Sequence, residues 1–239
     1  MINICLGEDI HERLLPRMEN WEKVTSKIAG IDNQILQTGN TTVKAKLHYA
    51  LMHWDILAQT YQKEGFASYL IQRAITENII LNLVSALEAF AYVINQLYDF
   101  QLEPRQVAID HLRNNKNRKC LRCELKKENG QLANYLDSQL IKADSPLGNW
   151  YESLVRYRHQ IVHRTLFLLN HYVGEGTFLP DDPYILKPQE KMYFDREKEE
   201  PVIPNYTEKR EVKKYTLYLF ENVLSVLDTS YRYIHINST

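Results

Sequence analysis

Through most of the first 170 positions, apolar residues recur at steps of three and four, and Gly and Pro interrupt them only at intervals. That period predicts a succession of helices. The first spans roughly 8 to 29 and stops at Gly30, and the polar stretch IDNQILQTGN follows as a loop. A second runs from about Thr42 to Glu64, with Gly65 as its C-terminal stop. A third, long helix extends from about Phe66 to Phe100. Pro104 opens a short helix to about His111, since a first helical turn tolerates its missing N–H. Residues 118 to 142 continue as a helix with a weak point at ENG, 128 to 130. DSP at 144 to 146 starts another, ending near Leu168.

Between 171 and 206 the pattern changes. Five of the eight prolines and two glycines fall there, around the short runs PYILKP and KMYFD, so this stretch reads as a loop excursion with one small β-hairpin. REKEE at 196 to 200 is its solvated turn. The helical period resumes at 207 and holds to about 235. The expected fold is an all-α bundle in one domain, residues 1–239, with an N-terminal extension (1–40), an inserted excursion (171–206) and a C-terminal helix (207–235).

Composition changes this picture little. Hydrophobic residues make up 44% and charged residues 25%, enough to close a core without metals or disulfides. A net charge of −1 provides no global field for a nucleic acid, so any such attraction must be local. Cys5, Cys120 and Cys123 are too few for a disulfide framework, and the N-terminus lacks the pattern of a signal peptide. A cytoplasmic protein is expected. The apolar stretch around 79 to 94 is interrupted by Asn82, Ser85 and Glu88, which favours a buried helix over a membrane span.

Two segments carry charges where the pattern asks for apolar residues. In RYRHQIVHR, residues 156 to 164, Arg158 falls on a helical wheel among Tyr151, Leu154, Val155, Ile161 and Val162, at the middle of the apolar face. His159 and His163 fall on its flank. An inward guanidinium needs a carboxylate, a phosphate or a wet cleft. The third helix supplies a carboxylate: Asn82, Ser85, Glu88, Tyr92 and Asn95 form one polar stripe on a segment that is otherwise apolar all round. Glu88 and Arg158 then face each other as a structural ion pair, or share a cleft open to a ligand.

RHQIVH resembles the R-x4-6-H motif of the HEPN superfamily, and NLVSALEAFAYVI resembles that family's earlier core helix, with its small polar residue (Ser85) and glutamate (Glu88). The likeness covers roughly 66–100 and 146–169. It implies an all-α domain that dimerises so that two motifs meet. It also implies a metal-independent endoribonuclease, in some members a toxin or defence component paired with a nucleotidyltransferase-type antitoxin. Other members are catalytically inactive modules that bind nucleic acid, a nucleotide or a protein partner.

RNA carries its own nucleophile, the 2′-OH. Metal-free cleavage needs a base for that proton and an acid for the leaving 5′-oxygen, and a histidine serves either role. His163 is the candidate. Arg158 would stabilise charge on the phosphate's nonbridging oxygens, since its planar fork matches two of them. Glu88 would orient Arg158, with Ser85 and His159 in supporting roles. A homodimer would bring the second histidine, and the products would be a 2′,3′-cyclic phosphate and a 5′-hydroxyl. The run RNNKNRKCLRCELKK, with seven basic residues against one Glu, adds a candidate RNA-backbone patch at Arg113, Lys116, Arg118, Lys119 and Arg122. A solvated surface is the plainer reading of the same run.

Other signals point to no further chemistry. CLRC has zinc-type spacing without a second ligand pair, so its two cysteines read as reduced thiols. His159 and His163, four apart, lack an accompanying carboxylate pattern, and His48 and His53 fall on different faces. No glycine-rich phosphate loop or nucleophile elbow is present, and no cofactor or metal is expected.

Overall fold

The structure is a computed structural model that describes residues 34–60, 66–107, 120–140, 149–162, 169–170, 184–186, 194–195, 200–201 and 209–236. Six helices dominate: α1 (Gln34–Thr60), α2 (Phe66–Leu97), α3 (Leu121–Glu128), α4 (Gly130–Leu140), α5 (Trp150–Val162) and α6 (Val212–Ile236), with a 3-10 turn at Pro104–Gln106. The all-α class expected from periodicity is observed. Between α5 and α6, β1 (Leu169–Asn170), β2 (Tyr184–Leu186) and β5 (Lys209–Glu211) pair antiparallel, as do β3 (Phe194–Asp195) and β4 (Glu200–Pro201). The expected helix at 8–29 lies outside the described residues.

The fold is organised around α2. Ile79, Ile80, Leu83, Val84, Leu87, Phe90, Val93 and Ile94 are all at most 2% exposed, and at 100° per residue they cover about half of the helix circumference. A face that broad is more than one neighbouring helix can cover. The α1 helix makes the most extensive contact with it, and α5 and α6 pack on its other flanks. By length and composition, Leu70–Leu97 could cross a membrane, yet 56% of its most apolar window is buried among the other helices.

One expectation fails. IDNQILQTGN is not a loop from Gln34 onward, because α1 begins there. Leu36, Asn40 and Val43 are buried in steps of three and four, so the stretch is an amphipathic turn with a thin apolar stripe that polar neighbours obscure. Gly39 sits within it because α2 passes so close: a Cβ added there would lie 2.8 Å from Val93 Cγ2.

Polar side chains close the ends of the helices. Asn129 separates α3 from α4, at the weak point expected at 128 to 130, and is 3% exposed. Its Oδ1 accepts from the Leu132 N–H (3.0 Å), capping α4, and its Nδ2 donates to Tyr98 Oη (2.9 Å) beyond the end of α2. Past α2, Asp99 and Gln101 adopt left-handed backbone conformations (φ 49° and 52°), and Asn95 Oδ1 holds the turn by accepting from the Leu102 N–H at 3.2 Å. At the other end of the bundle, Trp54 Nε1 donates to the Lys213 carbonyl (3.1 Å), tying α1 to the start of α6.

Two buried polar groups generate testable consequences. Tyr231 on α6 is fully buried, lies 5.0 Å from the Phe90 ring and donates to Asn40 Oδ1 at 2.6 Å. Burial pushes its phenol far above the usual range. Tyr231→Phe would leave a buried acceptor unmet and is expected to cost about 1–3 kcal/mol. Pairing it with Asn40→Leu should recover part of the loss in urea titrations; additive losses would show that the hydrogen bond is not the coupling between these sites.

Asp55 is 3% exposed and its Oδ1 has no hydrogen-bond partner. Burial raises its pKa from 3.8 to about 7. The folded protein therefore keeps a proton that the unfolded chain releases, and stability falls as pH rises from about 4 to 7 and then levels. Asp55→Asn is expected to gain on the wild type by roughly 2–4 kcal/mol between about pH 4 and pH 8. Parallel pH profiles for the two proteins would contradict this.

Candidate functional site

α5 carries Arg158 and His159 of the RHQIVH segment. Asn149 caps its N-terminus, its Oδ1 accepting from the Glu152 N–H at 3.0 Å, so the described helix starts at Trp150. Tyr151, Leu154 and Tyr157 face the core, each at most 1% exposed, and Tyr157 meets Tyr215 of α6 edge-on at 6.1 Å.

That packing corrects the orientation expected for Arg158. Trp150, Ser153 and Tyr157 are buried, whereas Val155 is partly exposed and Val162 is 51% exposed. At 100° per residue, the buried face turns away from Arg158 by roughly 60–70°. Arg158 therefore stands at the border of that face, with 38% of its side chain exposed. The large aromatics Trp150 and Tyr157 fill the core more completely than the smaller valines, and so decide which way the helix turns.

The expected link to α2 is present. Arg158 Nη2 lies 3.5 Å from Glu88 Oε1, and the Glu88 side chain is 30% exposed. The separation exceeds the 2.7–2.9 Å typical of a charge-assisted hydrogen bond, so the pair is close but loose. Its guanidinium is aimed by a carboxylate yet still reachable from solvent. His159, the next residue, is exposed. Arg156, two positions before Arg158, pairs along the helix with Glu152 at 2.6 Å.

The rest of the polar stripe is not a mutually satisfied seam. Asn82 Nδ2 donates to its own helix at the Asn78 carbonyl (2.8 Å), Tyr92 Oη to the Pro104 carbonyl (3.2 Å), and Asn95 serves the turn after α2. Ser85 is partly exposed one helical turn before Glu88. Glu88 is thus the stripe residue that reaches α5.

His163 lies outside the described residues, as do Arg113, Lys116, Arg118 and Lys119. Of the basic run, Arg122 is described: its Nη2 bonds Asp137 Oδ2 of α4 at 2.7 Å. Lys127 pairs with Glu124 at 3.0 Å. In this part of the run, acidic neighbours offset the basic charge, which favours the solvated-surface reading for α3. A groove of about 450 Å³ between α1 and α2, lined by Ile35, Thr38, Gly39, Ala89, Tyr92 and Val93 among others, includes neither Arg158 nor Glu88. Among the described residues, no group of three or more His, Cys, Asp or Glu is placed to hold a metal ion. His53, set aside in the sequence, donates from Nδ1 to the Tyr49 carbonyl at 2.6 Å, consistent with a local role.

Two features were not legible in advance. Asp55 sits at the edge of the α1 core face, between buried Leu51 and Trp54 and exposed Met52 and Gln59, so the helical pattern leaves its burial open. The contact between Cys120 and Cys123, with Sγ atoms 2.9 Å apart, was signalled only by their spacing.

No protein-family model, curated protein or solved structure matches this chain.

Because both partners are about one-third exposed, the Glu88–Arg158 attraction is strongly screened, and Glu88→Ala or Arg158→Ala is expected to cost no more than about 1 kcal/mol. Thermal or urea unfolding of each variant checks this. A loss of several kcal/mol from each would make the pair a core element and leave no reason to assign it a ligand.

Proposed function

We propose that this chain is a HEPN-like all-α domain that engages an RNA phosphate at Arg158 and cleaves the backbone without metal. The carrying observation is the loose Glu88–Arg158 pair: a guanidinium oriented by a carboxylate on the neighbouring core helix, 3.5 Å away, with more than a third of the Arg158 side chain exposed. A closed, buried pair would have no capacity for a phosphate. A free surface arginine would have no fixed direction. Arg158 satisfies both requirements.

In this reading, the guanidinium binds two nonbridging oxygens and stabilises the charge that grows on them as the 2′-oxygen attacks. His163, five residues along, takes the 2′-OH proton or protonates the departing 5′-oxygen. The second proton transfer falls to the same residue of a second copy, which gives the homodimer its chemical purpose. Glu88 positions Arg158 and touches no reacting atom. A nucleotidyltransferase-type protein remains the partner class that the HEPN resemblance suggests.

The second reading is an inactive RNA-binding module. Glu88 favours it, because a carboxylate 3.5 Å from the guanidinium competes with the phosphate for it.

Purified protein in EDTA is expected to convert RNA to fragments ending in 2′,3′-cyclic phosphate. His163→Ala should slow this by about 10²–10⁴-fold, the usual contribution of a general acid–base. Arg158→Ala should weaken both binding and cleavage. Equal cleavage by wild type and His163→Ala would remove the proposed mechanism. RNA that binds wild type but not Arg158→Ala, and stays intact, would establish the module reading instead.

A further inference from the structure

We infer that Cys120 and Cys123 form a redox-active dithiol, oxidised to an intramolecular disulfide by low-molecular-weight disulfides such as oxidised glutathione. The site is separate from the α2–α5 pair and does not rest on the function proposed above.

The geometry carries it. Cys120 is the N-cap of α3, with extended backbone (φ −149°, ψ 156°), and Cys123 stands one turn into the helix. The N–H groups of Cys123 and Glu124 both donate to the Cys120 carbonyl, at 3.0 and 3.1 Å, so the turn between the cysteines is held by two backbone bonds. The side chains converge across it until their sulfurs are 2.9 Å apart. A disulfide bond measures about 2.05 Å, so bonding closes less than about 1 Å and breaks neither hydrogen bond. Leu121 and Leu125, both buried, anchor the helix while the sulfurs adjust.

Burial divides the roles. Cys120 is 2% exposed, whereas Cys123 is partly exposed, so an external reagent meets Cys123 first and Cys120 acts second. The Cys123 thiolate attacks one sulfur of the small disulfide, forming a mixed disulfide and expelling one thiolate. Cys120, deprotonated, then attacks Cys123 Sγ, and the second small thiolate leaves. The protein loses two thiol protons and two electrons, and one molecule of disulfide becomes two of thiol. The hydrogen bond shared with Cys120, and then burial, hold the Cys123 thiol above its ordinary value, so the reaction quickens as pH rises. Metal capture is the competing use of two thiols. It needs further ligands, and among the described residues no third His, Cys, Asp or Glu completes a cluster.

The chain itself offers a clean readout. Arg122 lies between the cysteines, so trypsin places them in separate peptides that only a disulfide keeps joined. The full-length protein with Cys5→Ser is equilibrated natively in mixtures of oxidised and reduced glutathione at about pH 8, where thiolate is available. It is then acid-quenched, alkylated and digested. The joined pair, lighter by two hydrogens than the separate peptides, should accumulate with the proportion of oxidised glutathione and disappear on adding dithiothreitol. Adding Cys120→Ser should leave glutathione bound at Cys123. Adding Cys123→Ser should leave Cys120 largely unreacted, which keeps the test available if one variant fails to fold. The proposal is overturned if Cys123 carries glutathione while Cys120 remains alkylatable in the otherwise intact pair. It is equally overturned if neither thiol reacts until urea is added.

Discussion

The structure depends on covering one helix. α2 presents large aliphatic and aromatic side chains over about half of its circumference, and leaving that broad face wet would forfeit roughly 25 cal/mol for each Å² of apolar surface. A single partner helix covers only one stripe, so α1, α5 and α6 are all recruited. The close approach of α1 at Gly39 and the filling of the α5 face by Trp150 and Tyr157 are consequences of that demand. The polar stripe of α2 relaxes it along one line, and on that line Glu88 meets Arg158.

Buried polar atoms then decide which of several packings is unique. Aliphatic contacts tolerate sliding, whereas a hydrogen bond between α1 and α6 such as Tyr231 to Asn40 does not. Asn129 works similarly, capping one helix while reaching the residue just beyond the end of another. Asp55 is the exception: a carboxyl enclosed with an unpaired oxygen, whose proton the fold holds up to about pH 7.

The candidate site gains its character from a compromise between two helices. The buried aromatics on α5 turn Arg158 to the boundary of the core face, and α2 supplies a carboxylate at the limit of contact. An arginine placed deeper would need full neutralisation, and one placed further out would lose its direction. The thiol pair on α3 is a more local device, made by one helical turn and its N-cap, with little dependence on the rest of the bundle.

The helical class, the central position of the third hydrophobic segment, the break near residue 129 and the pairing of Glu88 with Arg158 were all legible in the order of residues. They follow from periodicity and from the cost of isolated charge, both of which are properties of short segments. The start of α1 at Gln34, the rotation of α5 and the burial of Asp55 were not. Each depends on which neighbour arrives and how large it is: Val93 against Gly39, the aromatics of α5 against α6, and whatever encloses the end of α1. Sequence by itself determined which segments must hide and which side chains would need partners. Only the tertiary structure decided how far each was turned toward water, because side-chain volumes on facing helices set that angle and no single helix contains them both.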